Sequence, residues 1–173
     1  MKLLKTSLSA LILCIVFITS CKKEEKDAQI VVRMKDDPAA YQQVNIEVLS
    51  VEVHSGGGWV SLPTNQGIYD LLELQNGVTT LLVNGGTLPA GEMNQMRLVL
   101  GNNNSIMIDS TLIPLSTPSA QQSGLKINVN HNFEGGETYE LLLDFVAGQS
   151  IVEQGNGDYS LKPVIKVASV QQL

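Results

Sequence analysis

Apolar and polar residues alternate along most of the chain from residue 28 onward, and this period of two limits the fold more than any other feature. Leu125–Asn130 shows it most clearly, and Tyr139, Leu141, Leu143 and Phe145 repeat it. Such alternation is typical of strands that bury one face. No window of a dozen residues has strong helical spacing. The chain is therefore predicted to be all-β.

Glycine- and asparagine-rich segments separate the candidate strands and predict tight turns. The candidate strands are Ile30–Met34, Trp59–Leu62, Thr79–Val83, Met96–Leu100, Ser105–Ile108 and Leu161–Val167. The turn segments are Gly56-Gly57-Gly58, Asn84-Gly85-Gly86, Gly101–Asn104, Gly135-Gly136 and Gly155–Asp158. Many short strands with such turns favour a single antiparallel β-sandwich, immunoglobulin-like or transthyretin-like, over βαβ units.

Three segments carry finer predictions about strand geometry. Val44–Val48 and Leu49–Val53 alternate in opposite phases, which predicts a β-bulge or a change of sheet where they meet. Pro163 predicts an edge position or a bulge in Leu161–Val167, because proline cannot donate a hydrogen bond to a neighbouring strand. Asp70–Leu74 fits either one helical turn or a strand.

Composition and charge exclude two classes of protein. Hydrophobic residues make up 43% of the 173 residues, too many for a disordered chain. Residues 28–173 contain six basic and fourteen acidic side chains, a net charge of −8. A nucleic-acid-binding protein would instead need clustered Lys and Arg to contact phosphates.

The first 21 residues have the form of a bacterial secretory signal. Lys2 and Lys5 precede an eleven-residue apolar run, Leu8–Ile18, which is shorter than the roughly 20 residues of a membrane-spanning helix. Ile18-Thr19-Ser20-Cys21 resembles the lipobox of bacterial lipoproteins, in which the cysteine receives diacylglycerol and acyl chains such as palmitate. We expect residues 1–20 to be a signal peptide and Cys21 to carry the membrane anchor, since two or three acyl chains bind firmly.

Residues 21–27 are expected to form a lipidated, charged tether to a single β-sandwich domain at 28–173. Lys22–Asp27 consists of six charged residues, which cannot be buried. Its lysine followed by acidic residues resembles the surface-export signals of some Gram-negative lipoproteins. The expected location is the cell envelope, as an outer-membrane lipoprotein that faces the cell surface or the periplasm. Cys14 leaves with the signal peptide, so no disulfide is expected.

A series of short motifs resembles one bacterial lipoprotein family. The motifs are Asp37-Pro38-Ala39, Val51–His54 with Trp59-Val60, Leu71–Gly77, Leu88–Gly91, Gln95–Leu98, Pro118-Ser119 with Ser123–Lys126, Asp144-Phe145 and Leu161–Ile165. Together they resemble the family catalogued as domain of unknown function 4382. The resemblance implies an envelope-attached β-sandwich and brings no activity with it. The family often has a second aspartate where this chain has Val146, so no site that uses that acid is implied.

No metal or cofactor is expected from the residues that could bind one. His54 and His131 lie on different candidate strands, and we expect each to be solvated or hydrogen-bonded rather than a zinc ligand. Calcium needs only oxygen ligands. Those ligands could come from Asp36, Asp37, Asp109, Asp144 and Asp158. Asn and Asp beside glycine are, however, ordinary turn residues.

No catalytic residues are predicted, and we expect the protein not to be an enzyme. The chain has no Gly-x-Ser-x-Gly motif, and Ser55 lies beside His54 on a strand, where neighbouring side chains point to opposite faces. A pair of catalytic carboxylates depends on spatial distance, which the sequence does not show. Asp37 and Asp144 are the residues to substitute if such a pair exists.

Three aromatic residues are the candidate ligand-binding residues. Trp59 follows three glycines and is either a partly exposed residue that stacks on a sugar or the large core residue of the sandwich. Tyr41 and Tyr159 lie near loop ends. The first hypothesis is therefore a non-enzymatic binding module for a glycan or an envelope protein. The alternative is a structural or adhesin-like subunit that assembles by strand addition, with Ile30–Met34 as the strand to examine.

Cys21→Ser tests the anchor. We expect this variant to leave the membrane fraction with its domain still folded, because residue 21 precedes the first strand. Cell fractionation with circular dichroism of the released protein measures both effects. Retention of the variant in the membrane fraction would overturn the lipoprotein assignment.

Overall fold

A computed structural model of the chain describes residues 26–117 and 123–173, and the predicted signal peptide and Cys21 lie outside this part. The described residues form thirteen strands, with short helical turns at Leu71–Leu74, Ala147–Ser150 and Gly155–Gly157. The strands are β1 (Ala28–Asp36), β2 (Gln43–Ser55), β3 (Gly58–Ser61), β4 (Gly67–Asp70), β5 (Thr80–Leu88), β6 (Gly91–Leu100), β7 (Ser105–Ile108), β8 (Thr111–Ser116), β9 (Leu125–Phe133), β10 (Thr138–Phe145), β11 (Ile151–Glu153), β12 (Tyr159–Leu161) and β13 (Ile165–Gln172).

The strands belong to two mixed sheets. Sheet I has the order β13-β10-β1-β5, and sheet II has the order β11-β12-β8-β7-β2-β6-β9, with β3 and β4 also paired to β2. β1 runs parallel to β10 along its length, and β12 runs parallel to β8. The all-β prediction is confirmed, whereas the prediction of purely antiparallel strands is wrong. Parallel partners cannot be joined by a tight turn, and β1 and β10 are far apart in the sequence, so turn signals do not reveal their pairing.

One cluster of buried apolar side chains draws on both sheets. Alternate residues of β1, from Ala28 to Met34, are fully buried, and so are Leu141 and Leu143 of β10. Sheet II contributes inward residues of β2 and β6, among them Val53 and Met96. The period of two in the sequence therefore corresponds to one buried and one outward face on each of these strands.

The predicted change of phase in β2 is a β-bulge. Val48 pairs with Leu100 of β6, and Ser50 pairs with Val99, so that Leu49 is the extra residue. Val48 and Val51 are both fully buried on either side of it. The bulge lets one strand keep its apolar residues inward along its whole length.

For two other segments, the structure corrects one sequence-based prediction and settles one open alternative. Leu161–Val167 is two strands rather than one, because the chain leaves sheet II after Leu161 and enters sheet I at Ile165, with Pro163 between them. Leu71–Leu74 is a 3-10 turn, and the Asp70 carboxylate accepts a hydrogen bond from the Leu72 amide at 3.0 Å. The helical alternative for this segment is therefore the correct one.

Asn84-Gly85-Gly86 lies inside β5, although the sequence predicted a turn. The pairing between β1 and β5 shifts here, from Ile30 opposite Gly86 to Val32 opposite Val83. A β-carbon at Gly86 would lie 3.0 Å from side-chain atoms of Leu62 and Val83. Close approach to the core, rather than a turn, therefore explains the glycine at this position.

Gly86→Ala tests this packing. The added methyl group must displace core side chains, and we expect a loss of about 1–3 kcal/mol in the free energy of unfolding. Gly155→Ala is the matched control, because a β-carbon there has no atom within 4 Å. Urea denaturation of both variants provides the measurement, and equal stabilities would show that the core near Gly86 is not tightly packed.

Candidate functional site

A groove of about 350 Å³ opens on the outward face of sheet II. It crosses four neighbouring strands, β4, β2, β7 and β8, and one wall is the loop of residues 101–104, here called the asparagine loop. Asn45 lies on the floor, on the side of β2 opposite the buried Val44 and Ile46. The full lining is Asn45, Ile68, Asn102, Asn103, Asn104, Ser105, Leu112 and Pro114.

Glu47 of β2 holds the asparagine loop in place. The Asn103 side chain donates through Nδ2 to Glu47 Oε1 at 2.8 Å, and the Asn103 amide donates to Oε2 at 3.0 Å. The Gly101 amide donates to the Glu47 carbonyl at 2.9 Å. The two bonds from Asn103 stabilise the ionised carboxylate and lower the pKa of Glu47 below its ordinary value. The loop is thus attached to the strand at three points.

Asn104 fills the interior of the same loop. It is buried, accepts a hydrogen bond from the Glu47 amide at 2.8 Å, and donates to the Gly101 carbonyl at 2.8 Å and to Thr117 Oγ1 at 2.9 Å. Its amide therefore has a structural role. Asn102 and Asn103 remain exposed at the groove.

The groove combines amide groups with exposed aliphatic side chains. Ile68 and Leu112 are 57% and 55% exposed, which is high for residues of this size. The Asn45 side chain donates to Ser105 Oγ at 3.1 Å. Each asparagine amide offers two N–H donors and a carbonyl acceptor, and no residue that lines the groove is charged. The site is therefore suited to an uncharged ligand that has both hydroxyl or amide groups and an apolar surface.

The sequence did not identify this site. Gly101–Asn104 was predicted only to be a turn between strands, and the partner that shapes it, Glu47, is more than fifty residues earlier. Three consecutive asparagines after a strand are the available signal. That signal indicates a polar loop and not what the loop packs against.

Trp59 lies on the same outward face, at the other end of β2. It is opposite His54, and the two rings meet edge to face with centroids 5.3 Å apart. The Arg97 guanidinium lies 4.2 Å from the centre of the indole, and Arg97 Nε donates to Glu52 Oε2 at 2.6 Å. Trp59 is half-buried and does not belong to the buried core cluster.

The other predicted aromatic residues lie apart from Trp59. Tyr41 is half-buried just before β2 and lines a separate cleft of about 220 Å³. The start of β2, which follows Tyr41, is on the order of 35 Å from the level of Trp59, at about 3.3 Å per residue. Tyr159 is half-buried on β12. The three aromatic residues therefore do not form one platform. His131 packs edge to face on Phe133 and Tyr139.

Three of the five candidate calcium ligands come together, but lysines pair with two of them. Lys35 Nζ and Lys166 Nζ lie 3.0 Å and 3.1 Å from Asp144 Oδ2, and both lysines also contact Asp37. Lys35, Asp37, Asp144 and Lys166 are here called the ionic cluster. Asp144 is buried and its Oδ1 has no hydrogen-bond partner. In the part of the chain that the structure describes, no group of three or more His, Cys, Asp or Glu side chains could hold a metal ion.

Asp36 is the third aspartate of this region. It is buried, and it accepts hydrogen bonds from the Ala147 amide at 2.8 Å and from Gln75 Nε2 at 3.4 Å. Burial raises the pKa of Asp36 to about 6, and the nearby Asp144 and Asp37 carboxylates act in the same direction. By contrast, Lys35 lowers the pKa of Asp37. Asp109 and Asp158 lie in exposed turns elsewhere.

Comparison with known proteins identifies a family but no characterised relative. The family model described as Domain of unknown function (DUF4382) matches residues 27–163. Neither a curated protein nor a solved structure matches the chain. Among the described residues, no helix is long and apolar enough to cross a membrane.

The pKa of Asp36 predicts an unusual pH dependence of stability. Because folding raises this pKa, the folded state binds the proton more tightly, and stability should increase as the pH falls from about 7 to about 5. We expect a gain of about 1 kcal/mol over this range, measured as the urea-unfolding free energy at each pH. Asp36→Asn should remove this increase, and the exposed Asp158→Asn should retain it. A wild-type protein whose stability is constant or falls over this range would contradict the prediction.

Proposed function

The chain belongs to the DUF4382 family, as its motifs predicted. Because membership of this family implies no activity, we propose a function from the residues on the surface of the protein. We propose that the protein is a lipid-anchored protein of the cell envelope, attached to the outer membrane through Cys21. It acts as a non-enzymatic binding module, and the groove beside the asparagine loop binds an uncharged glycan.

The groove is the observation that carries this proposal. Its asparagine loop is held by the bonds between Asn103 and Glu47 before any ligand arrives, so binding does not have to order the loop. Its exposed Ile68 and Leu112 side chains can cover the apolar C–H surface of a sugar while the amides bond its hydroxyl groups. A protein ligand with the same chemistry is the competing outcome of the test.

The position of the tether favours presentation of the groove away from the membrane. The Asp27 carbonyl accepts a hydrogen bond from the Gly136 amide at 3.0 Å, in the turn after β9. The end of β9 pairs with the start of β6, which lies at the Trp59 end of β2. The groove lies at the opposite end of β2, about 30 Å away at 3.3 Å per residue. A lipid on Cys21 would thus hold the far end of the domain.

A non-enzymatic role is supported by the state of the acidic residues. Asp37 and Asp144, the pair considered for hydrolysis, are bridged by Lys35 and Lys166. Asp36 bonds a backbone amide rather than facing the groove.

We also propose that the two sheets form a β-sandwich, immunoglobulin-like or transthyretin-like, which the core shared by both sheets supports.

Strand addition is the second candidate function, and β13 is the strand that favours it. β13 pairs with β10 on one side, and no described strand pairs with its other side, so its main chain could accept a partner strand. The sequence suggested β1 as an exchangeable strand. β1 lies between β10 and β5 with alternate side chains fully buried, so its removal would expose the core of sheet I.

A glycan panel tests the primary proposal. We expect the full chain in detergent to bind at least one immobilised uncharged polysaccharide. Ile68→Ala and Leu112→Ala should each weaken binding about three- to tenfold, because each removes part of an apolar wall. Val78→Ala is the matched control, since Val78 is 52% exposed outside the groove. Binding only of a protein, or of glycans with all three variants unchanged, would contradict the proposal.

A further inference from the structure

The outward side of β2 connects the groove to Trp59, and we infer that the ligand is a linear, uncharged polysaccharide that lies along this strand. This inference rests on the proposed function of the groove and adds the length of the ligand and its path along β2. It follows from three observations on the same face of sheet II: the spacing of apolar side chains, the pairing of charges, and the interior position of β2.

Apolar side chains occur at intervals along this face. The groove, with Ile68 and Leu112, is level with Asn45 at the start of β2. Leu49, the extra residue of the bulge, is 39% exposed, and it lies about 13 Å further along. Trp59 is opposite His54, a further 16 Å or so along the strand. The face therefore has three apolar contact points over roughly 30 Å, more than a single sugar could span.

The carboxylates on this side of β2 already have partners within the protein. Its two carboxylates are Glu47, which the asparagine loop binds, and Glu52, which pairs with Arg97. Arg97 in turn lies over the Trp59 ring. The net charge of residues 28–173 is −8, which repels an acidic polymer. An uncharged polymer leaves all of these pairs intact.

The interior position of β2 favours a polysaccharide over a peptide strand. β3 and β4 pair with one part of β2 each, and β6 and β7 pair with it as well. Its main-chain groups are therefore used by neighbouring strands, and it offers a ligand a side-chain surface and not an edge. A peptide that binds by strand addition needs such an edge, whereas a sugar polymer binds through hydroxyl groups and apolar ring faces.

Trp59 is the single tryptophan of the chain, so its fluorescence reports directly on the far end of the proposed path. The full chain in detergent is titrated with oligosaccharides of β-1,4-linked glucan, mannan and xylan, from disaccharides to oligomers longer than the roughly 30 Å path. We expect affinity to rise with length up to that span. Only the long oligomers should change the Trp59 emission.

Leu49→Asn tests the middle of the proposed path, and Val78→Asn is its control at another exposed aliphatic position. We expect Leu49→Asn to weaken the binding of long oligomers about tenfold, the loss of one apolar contact, and to leave disaccharides unaffected. Both variants should keep the wild-type unfolding midpoint, because both side chains are exposed.

The outcomes separate this inference from the proposed function. Affinity that stops rising at the length of the groove, with unchanged Trp59 emission at saturation, overturns the inference and leaves the groove as a glycan site. Failure of every oligosaccharide to bind overturns both. Tighter binding of an acidic polysaccharide such as polygalacturonate also overturns both, because both specify an uncharged ligand.

Discussion

The pairing of β2 with four other strands is the constraint on which the rest of the protein depends. β3, β4, β6 and β7 all bond to this one strand. It can serve them all only if its apolar side stays inward throughout, and the bulge at Leu49 makes that possible. Without the extra residue, one half of β2 would present Val and Ile to solvent. The same bulge places Leu49 on the outward face, so a folding requirement also shapes the proposed ligand surface.

Side chains replace main-chain pairing where sheet II is interrupted. Between β6 and β7 the chain leaves β2 for residues 101–104, and Asn104 and Glu47 take over the hydrogen bonds of the missing strand residues. Buried polar groups must be satisfied in this way, because an unpaired one costs about 1–3 kcal/mol. The result is a loop that stands out from the sheet but is held firmly, which is the usual combination at a binding site.

Sheet I is organised around a different kind of contact. Lys35, Asp144 and Lys166 lie side by side on β1, β10 and β13, so the ionic cluster joins a parallel and an antiparallel strand pair. Asp144 is buried, and a buried carboxylate is tolerated only when cations accompany it. Asp36, close by, is buried with no lysine paired to it among the described residues, and burial raises its pKa even though it accepts a hydrogen bond from the Ala147 amide. This region therefore affects stability and its pH dependence, whereas the groove lies on the other sheet.

Local patterns in the sequence determined much of the protein, and long-range pairing decided the rest. Alternation predicted the all-β class and the change of phase in β2, which the structure shows to be a bulge, since both depend on which face neighbouring residues present. The order of short motifs predicted the family. Only the tertiary structure showed that β1 and β10 are parallel, that Pro163 separates two sheets, and that Gly86 packs against the core. The groove likewise depends on Glu47 meeting Asn103. Partners more than fifty residues apart leave no local signal, because what brings them together is the burial of the whole core.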